Sequence, residues 1–240
     1  MTGANKDMFV AAIIPARGGS KSIPKKNILN LSGKPLLQYS IEYAQHSTCV
    51  DYIFVSSDCP ETIAIAQSLG VETPFKRPEE FADDDARDYG FMRHALDVLE
   101  DHLGREIDLF ALLRPTSPLR PLGLIEKAVA IMEQHPDATS VRSVAATDQH
   151  PYRQFLLENE TLFSPFKGFI DDDEPYNIPR QHLPEFYFQT GDLELVRRST
   201  LLNGSVSGDK ICGLIIDKNE MLDIDEFNDF DLAKAKLEKS

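Results

Sequence analysis

A glycine-, serine- and lysine-rich segment follows the first apolar run of the chain and contains the residue types that bind phosphate. It reads Pro15-Ala-Arg-Gly-Gly-Ser-Lys-Ser-Ile-Pro-Lys-Lys-Asn27. Glycines let backbone N–H groups approach an anion, serine hydroxyls donate hydrogen bonds, and the cationic side chains offset polyphosphate charge. The segment matches neither GxxxxGK[ST] nor GxGxxG. We call residues 15–27 the anion loop, and expect it to bind a polyphosphate rather than to be a solvated basic turn.

Two acids near the C-terminus could bind a metal ion. Asp223 and Asp225 are one residue apart, so in an extended segment their side chains point the same way. They offer the hard oxygen ligands that Mg²⁺ accepts. Asp225 also precedes an apolar-periodic segment, so helix capping is the alternative for that residue. The Asp-x-Asp pattern alone leaves both interpretations open.

Three arginines stand where a guanidinium could bind an anion. Arg77, Arg114 and Arg120 follow predicted strands or extended segments, where a guanidinium can hold a carboxylate or a phosphate through two parallel hydrogen bonds. Thr116 and Ser117 lie in the Pro-Thr-Ser-Pro turn between the last two arginines. They are candidate hydrogen-bond donors to a ligand, although such a turn also uses these hydroxyls as caps.

The segment Gln189-Thr-Gly-Asp-Leu-Glu194 provides the remaining polar candidates. Asp192 and Glu194 alternate with an apolar residue, so we expect them on one face of a strand, in contact either with substrate or with water. Gln189 is the stronger candidate for a ligand contact. The four consecutive acids at 171–174 are typical of a solvated turn.

Alternating strands and helices must position these residues. Apolar runs predict strands over 8–14, 52–55, 109–113, 140–145, 185–189, 193–196 and 211–216. Prolines at first helical positions predict helices over 35–46 and 60–69, with Gly70 ending the second. Apolar residues at three- and four-residue steps predict amphipathic helices over 87–103 and 122–132, and a last helix follows Asp225.

This order predicts an α/β fold with a three-layer, mainly parallel sheet and helices on both faces, a Rossmann-like arrangement. In such folds the ligand site lies beyond the carboxyl ends of the strands, which is where the anion loop begins. We expect a single domain over 1–240. The Pro-, Asp- and aromatic-rich stretch at about 150–185 interrupts the pattern and predicts an inserted lobe that contacts a substrate or a partner.

Composition narrows the function classes. The net charge of −14 over 240 residues argues against a nucleic-acid partner, because phosphate backbones favour broad basic surfaces. The apolar run at 8–14 is far shorter than the roughly 20 residues of a membrane span, so we expect no membrane association. Three scattered cysteines support neither a disulfide framework nor a zinc site. A cytoplasmic location fits these features.

Five of the motifs together resemble the acylneuraminate (CMP-sialic acid type) cytidylyltransferases. Ile-Pro-Ala-Arg-Gly-Gly-Ser-Lys-x-x-Pro-x-Lys-Asn is similar to the N-terminal signature of that family. The others are Val55-Ser-Ser-Asp58, Arg77-Pro78 followed by Phe81-Ala-Asp83, Arg114-Pro-Thr-Ser-Pro-Leu-Arg120, and Leu222-Asp-Ile-Asp225. They appear in the family's order and approximate spacing, through most of the chain.

The resemblance implies that the anomeric hydroxyl of a 3-deoxy-2-ulosonic acid attacks the α-phosphate of CTP and expels pyrophosphate. It implies Mg²⁺ as cofactor, CTP and a sugar acid as ligands, and a homodimer built by the inserted lobe. Arg180 of that lobe could reach the partner's sugar site. The implied catalytic residues are Lys21, Arg17 and Asp225, with Lys21 stabilising the transferred group and Asp223 and Asp225 holding the metal. Nucleotide contacts are implied for Ala16, Arg17, Gly18, Ser20, Lys21, Lys26, Asn27, Ser57, Asp58 and Arg77, and substrate contacts for Arg114, Thr116, Ser117, Arg120, Gln189 and Asp192.

Two departures from the family pattern concern the sugar side. The common residue at the position of Arg114 is Gln, and Gln189-Thr-Gly-Asp-Leu-Glu194 stands where many relatives have Asn-Gly and a small residue. The acceptor therefore stays open among sialic, legionaminic and pseudaminic acid types. The alternatives are a 3-deoxy-manno-octulosonate cytidylyltransferase, a glycosyltransferase that uses Asp223 and Asp225 as its DxD motif, and a nucleotide-binding regulator without turnover.

Overall fold

A six-stranded sheet forms the centre of the molecule in the computed structural model, which describes residues 8–20, 22–83 and 85–238. Its strands, in chain order, are β1 (Val10–Pro15), β4 (Tyr52–Ser56), β5 (Leu109–Leu112), β6 (Ser140–Ala146), β9 (Tyr187–Arg197) and β10 (Ile211–Ile215). Two small hairpins lie outside it: β2 (Asn30–Leu31) with β3 (Lys34–Pro35), and β7 (Leu156–Glu158) with β8 (Thr161–Phe163).

The strand order is β10-β6-β9-β5-β1-β4. β1 pairs in parallel with β4 and β5, and β10 pairs in parallel with β6. β9 lies antiparallel between β5 and β6. The expectation of a mainly parallel sheet is confirmed. Because β9 runs against its neighbours, its first residues reach the edge at which β1, β4 and β5 end.

Helices cover both faces of the sheet, which confirms the three-layer arrangement. They are α1 (Leu36–His46), α2 (Pro60–Ser68), α3 (Asp88–Leu103), α4 (Leu124–Gln134), α5 (Arg198–Leu202) and α6 (Phe227–Leu237). Residues of α1, α2 and α4 share one buried core with alternate residues of β1 and β5. Residues of α3 and α5 share a second buried core with the other alternate residues of β1 and β5. The period-two alternation of each strand thus divides its side chains between two helical layers.

A third, smaller core fastens the C-terminal segment to the anion loop. It consists of Ile23, Leu31, Leu36, Ile224 and Ala233, all fully buried. Ile224 separates the two aspartates of the Asp-x-Asp pair, so burying its side chain fixes both neighbours beside the loop. Apolar packing therefore brings the two ends of the chain to one site.

The stretch between β6 and β9, residues 147–186, forms an excursion that we call the lobe. It contains short 3-10 turns, the β7–β8 hairpin and a cluster of aromatic rings made by His150, Tyr152, Phe166 and Phe186. Six large apolar side chains on the lobe are exposed: Phe155, Leu156, Leu157, Leu162, Phe163 and Phe169. The lobe's place in the chain is where the sequence predicts it.

Glycines explain two of the differences between predicted and observed element boundaries. The strands predicted over 185–189 and 193–196 are one long strand, β9, which begins at Tyr187, because Gly191, at φ +77°, lets the backbone bulge and continue. The helix predicted from 122 begins at Leu124, because Gly123 adopts φ +76° ahead of it and Leu122 stays 81% exposed. In the part of the chain described, no helix combines the length and apolarity needed to cross a membrane.

Candidate functional site

A cavity of about 540 Å³ lies beyond the carboxyl ends of β1 and β5. The anion loop forms one wall, the start of α3 and the segment before it form another, and the Arg114 turn and Asp225 complete it. The lining residues are Pro15, Arg17, Gly19, Ser20, Ser22, Lys26, Asn27, Arg77, Phe81, Asp83, Ala86, Asp88, Phe91, Arg114, Pro115, Thr116 and Asp225. Its position is the one expected for a ligand site in an open α/β sheet.

The structure brings about half of the predicted site residues to the cavity. Arg17, Ser20, Lys26, Asn27, Arg77, Arg114, Thr116 and Asp225 line it. Ala16, Gly18, Ser57, Asp58, Ser117, Arg120, Gln189, Asp192 and Asp223 are not among its lining residues. Lys21, the residue predicted to stabilise the transferred group, lies outside the described residues. Both its position and its role stay predictions.

Backbone hydrogen bonds hold the anion loop against the end of β4. The Ala16 N–H donates to the Ser56 carbonyl over 2.9 Å, and the Gly18 N–H donates to Asp58 Oδ1 over 2.8 Å. The Asn27 side-chain amide donates to the Arg17 carbonyl over 2.9 Å and closes the loop. Asp58 therefore uses one carboxylate oxygen to support the loop, which suits it to shaping the site from behind.

Ser57 is also placed behind the cavity. It is fully buried, and its hydroxyl accepts a hydrogen bond from the Cys59 N–H over 3.1 Å. Gly18 packs so tightly here that a Cβ atom on it would lie 2.8 Å from Cys59 Cβ. Glycine is therefore required at position 18 because a side chain there would collide with the start of α2. The predicted direct nucleotide contact of Ser57 does not suit its buried position.

Arg17 connects the anion loop to the opposite wall. Its Nη1 donates to the Ala82 carbonyl over 3.3 Å and, at shorter range, to the Asp83 carbonyl. Both acceptors follow the 3-10 turn Glu79–Phe81. A guanidinium is thus fixed at the mouth of the cavity, where an anion entering between the walls would meet it.

Arg77 forms part of the cavity floor. Its Nε and Nη2 donate to the hydroxyl and carbonyl of Ser56 over 2.9 and 2.8 Å, and its guanidinium lies 4.4 Å from the centre of the Phe91 ring. Burial lowers the pKa of Arg77 to about 10. The residue stays cationic at neutral pH and adds positive potential beneath the anion loop.

Lys26 joins the anion loop to the C-terminal acids. Its Nζ donates to the Ile224 carbonyl over 2.7 Å and lies 3.5 Å from Asp225 Oδ1. The Lys26 side chain is 12% exposed, whereas that of Asp225 is 76% exposed. Glu226 is the N-cap of α6 and forms a capping box with Asp229, which also accepts from the Asp225 N–H, so the Asp225 carboxylate is not the cap. That excludes the capping alternative for Asp225.

Asp223 suits a metal site because one of its carboxylate oxygens has no hydrogen-bond partner among the described residues. Its Oδ1 is buried and accepts no hydrogen bond from any described residue. Burial, and then the charge of Asp225, raise the pKa of Asp223, while Thr116, Lys26 and Arg114 lower it. A bare carboxylate oxygen beside a second, exposed carboxylate is the donor set that Mg²⁺ uses together with phosphate and water oxygens. Within the described ranges, no group of three or more His, Cys, Asp or Glu side chains forms a complete metal cage.

An ion network crosses the other end of the cavity. Arg114 Nη2 donates to Asp88 Oδ2 over 2.6 Å and to Glu194 Oε1 over 2.7 Å, and Arg142 Nη2 lies 3.0 Å from Glu194 Oε2. The Gln189 amide donates to Glu194 over 3.0 Å and accepts from Arg142. Burial lowers the pKa of Arg114, but the two carboxylates, Asp88 first, raise it above its ordinary value. We call these five residues the Arg114 network.

The network includes residues that the sequence motifs did not identify. Neither Asp88 nor Arg142 belongs to one of the sequence motifs. The sequence indicates only that Asp88 lies near the start of a predicted helix. Glu194 and Asp192 are 2% and 1% exposed, so the expectation that they might face water is wrong. Asp192 is buried with both carboxylate oxygens unpaired among the described residues, and burial raises its pKa.

Arg120 and Ser117 lie beneath the cavity. Arg120 is 6% exposed and donates to the Asp192 and Arg114 carbonyls and to the Ser40 hydroxyl, while its guanidinium stacks 5.0 Å from the Tyr43 ring centre. Each of the three guanidinium nitrogens of Arg120 thus donates a hydrogen bond within the protein. Ser117 is fully buried. The burial of these two residues suits a supporting role beneath the cavity, and their direct substrate contacts stay predictions.

Comparison with known proteins agrees with this geometry. A family model described as cytidylyltransferase matches residues 11–164, which include the anion loop and the Arg114 turn. The chain belongs to the cytidylyltransferase family. It is 35% identical to an N-acylneuraminate cytidylyltransferase of Escherichia coli O18:K1:H7. That match extends over 226 residues and covers 93% of this chain and 51% of that protein. It is 30% identical to a pseudaminic acid cytidylyltransferase of Campylobacter jejuni, over 92% of this chain and 93% of that one.

The fold is shared more widely than the sequence. A solved structure of CMP:2-keto-3-deoxy-manno-octonic acid synthetase complexed with CTP superposes with a TM-score of 0.68 at 18% identity, covering 96% of this chain and 99% of that one. At this identity the likeness concerns the fold alone. The chain spans about half the length of the E. coli relative, and nearly the whole length of the C. jejuni relative.

Proposed function

We propose that this chain transfers CMP from CTP to a 3-deoxy-2-ulosonic acid of the sialic, legionaminic or pseudaminic acid type. The anomeric hydroxyl oxygen of the acid forms a bond to the α-phosphorus, the bond from that phosphorus to the bridging oxygen breaks, and pyrophosphate leaves. The hydroxyl loses its proton. The observation that carries the proposal is a cavity of about 540 Å³ that three cations, Arg17, Lys26 and Arg77, line together with Asp225.

The chain's own residues account for the polyphosphate half of this reaction. Arg17 and Lys26 are fixed by contacts to backbone carbonyls, so their charges are in place before the nucleotide arrives. Such preorganised donors stabilise charge in phosphoryl transfer more than mobile ones do. The Ser20 and Ser22 hydroxyls and the Gly19 backbone complete the anion-binding wall. Lys21 is proposed to stabilise the transferred group, and Lys21→Ala should abolish most turnover.

Asp223 and Asp225 would hold Mg²⁺. When bound, the ion neutralises phosphate charge and lowers the pKa of a coordinated hydroxyl. The unpaired Asp223 Oδ1 and the exposed Asp225 carboxylate would supply two oxygen ligands beside Lys26. Lys26 also limits the repulsion between the two acids while no cation is bound.

The lobe is proposed to form a homodimer. Its exposed side chains Leu157 and Phe163 belong to a hairpin that has no core of its own. Arg180 is 80% exposed and 3.9 Å from Asp148, a distance that allows it to turn toward a second subunit. A cytoplasmic location is proposed with it, since the cysteines are free and the net charge of −14 favours solubility.

A substrate panel tests the proposed function. Purified protein with CTP and Mg²⁺ should release pyrophosphate when given N-acylneuraminate or pseudaminic acid, and release should be much slower with ATP, GTP or UTP. No release with any ulosonic acid would favour a regulator without turnover. Release of nucleoside diphosphate from a nucleotide sugar would favour a glycosyltransferase.

A further inference from the structure

The Arg114 network is formally neutral. Arg114 and Arg142 contribute two positive charges, and Asp88 and Glu194 contribute two negative ones, all joined by contacts of 3.0 Å or less. Glu194 is 2% exposed, so water screens this end of the site poorly. An acceptor group that meets Arg114 therefore meets hydrogen-bond donors without an excess positive charge behind them.

Arg114 still has donors to offer. Its Nη2 uses both of its hydrogens on Asp88 and Glu194, whereas Nε and Nη1 donate to no described residue. Arg114 lines the cavity, so those remaining N–H groups are available to a ligand there. The two carboxylates fix the plane of the guanidinium, which makes the free edge a rigid recognition element.

The surroundings favour a neutral oxygen next to an apolar group. Ala86, Phe91 and Pro115 line the cavity near the Asp88–Arg114 pair. A carboxylate placed here would approach Asp88 and Glu194 as well as Arg114, and like charges at close range cost free energy. An amide carbonyl is a strong neutral acceptor, and the methyl group of an acetyl amide could contact the apolar residues.

We infer that Arg114, oriented by Asp88 and Glu194, determines acceptor specificity by donating a hydrogen bond to the carbonyl oxygen of an N-acyl group on the sugar acid, and that it does not bind the acceptor's carboxylate. The inference rests on the proposed function and refines it. It narrows the expected substrate contact of Arg114 to one group of the sugar acid. Glu194 acts here as a positioning residue, and Arg114 as the residue in contact.

Two acceptors that differ in one group test this. N-acetylneuraminate and its counterpart with a hydroxyl in place of the acetylamino group share the same carboxylate. Wild-type protein should use the N-acyl acceptor with a kcat/KM about ten- to a hundredfold higher, mainly through KM. Arg114→Ala should bring that ratio close to one while the KM for CTP stays within about twofold. Arg114→Gln, whose side-chain amide can still donate a hydrogen bond, should keep part of the ratio. Glu194→Gln should reduce the ratio partially.

Arg93→Ala is the matched control, because it removes an arginine that pairs with an aspartate on the exposed side of α3. Its ratio should equal that of wild type. An equal penalty on both acceptors in the Arg114 variants would assign Arg114 to the carboxylate and overturn the inference. So would wild-type protein that turns over both acceptors equally, a result that needs no variant to fold. No CMP-sugar from these two acceptors would overturn this inference, and no CMP-sugar from legionaminic or pseudaminic acid either would overturn the proposed function.

Discussion

At the scale of single residues, Lys26 carries the prediction about nucleotide binding. It joins the anion loop to the Asp225 segment through its ammonium group. Lys26→Ala should lower kcat/KM for CTP by about a hundredfold or more, because a preorganised cation is lost from the site of charge development. The assay is steady-state pyrophosphate release.

Lys34→Ala is the control for Lys26, since Lys34 pairs with Glu42 away from the cavity. It should keep wild-type kinetics and a similar melting temperature. If Lys26→Ala retained full turnover with CTP, the cation would be structural, and the assignment of the anion loop would need revision.

Asp223 carries the prediction about metal dependence. Its unpaired Oδ1 is a metal ligand in our account, so Asp223→Asn should raise the Mg²⁺ concentration for half-maximal turnover by about tenfold or more. Mg²⁺-dependent thermal stabilisation in the presence of CTP should weaken in parallel. Asp217→Asn, on an exposed turn, should change neither quantity. An unchanged Mg²⁺ dependence in Asp223→Asn would remove this residue from the metal site.

At the scale of elements, the contact between the anion loop and α2 depends on the missing side chain at Gly18. Gly18→Ala places a Cβ 2.8 Å from Cys59 Cβ, so the loop must shift. We expect a loss of about 1–3 kcal/mol in the free energy of unfolding and weaker CTP binding. Gly19→Ala, with no atom within 4 Å of the added Cβ, should leave the stability of the free protein unchanged. Equal melting temperatures for the two variants would contradict the steric explanation.

Glu100 joins α3 to α5 and makes the stability of this junction depend on pH. It accepts from Arg198 Nε and Nη2 over 2.7 and 2.9 Å and from the Ile107 N–H over 2.8 Å, and the Arg198 hydrogen bonds lower its pKa. Since the folded-state pKa is below the ordinary value of 4.5, the stabilisation is present above that value and is lost as the pH falls through the folded-state pKa.

Glu100→Gln should therefore cost about 1–3 kcal/mol at pH 7 and flatten the loss of stability below pH 4.5. Denaturant unfolding at several pH values measures both effects. Glu106→Gln removes a more exposed partner of Arg198 and should have a smaller effect. Parallel stability–pH curves for wild type and Glu100→Gln would show that the junction does not titrate as described.

Sequence patterns predicted the elements better than the contacts between them. Strands over 52–55 and 109–113 closely match β4 and β5, because apolar runs and local turn signals report burial directly. The Arg114–Glu194 pair is separated by 80 residues and the Lys26–Ile224 contact by 198. Such partners depend on how the sheet is ordered and on a bulge in β9. For the same reason, the buried roles of Arg120 and Ser117 could not be read from their motif.

At the scale of the whole molecule, the lobe carries the prediction about assembly. Leu157→Glu and Phe163→Glu place charges on the exposed β7–β8 hairpin and should convert a dimer to a monomer in sedimentation experiments. Leu122→Glu, at an exposed position outside the lobe, should stay dimeric. A wild-type protein that sediments as a monomer at micromolar concentration would remove the proposed homodimer and the role of Arg180 in it.

If the cavity between the anion loop and Asp225 transfers CMP, the α-phosphorus of CTP must end in the sugar product. Following that phosphorus is therefore the decisive experiment. CTP labelled at that phosphorus, incubated with the protein, Mg²⁺ and N-acylneuraminate or pseudaminic acid, should pass its label into a CMP-sugar, with one pyrophosphate released per product. Label that stays in CTP, or that appears only in free CMP or CDP with every acceptor, would contradict the account.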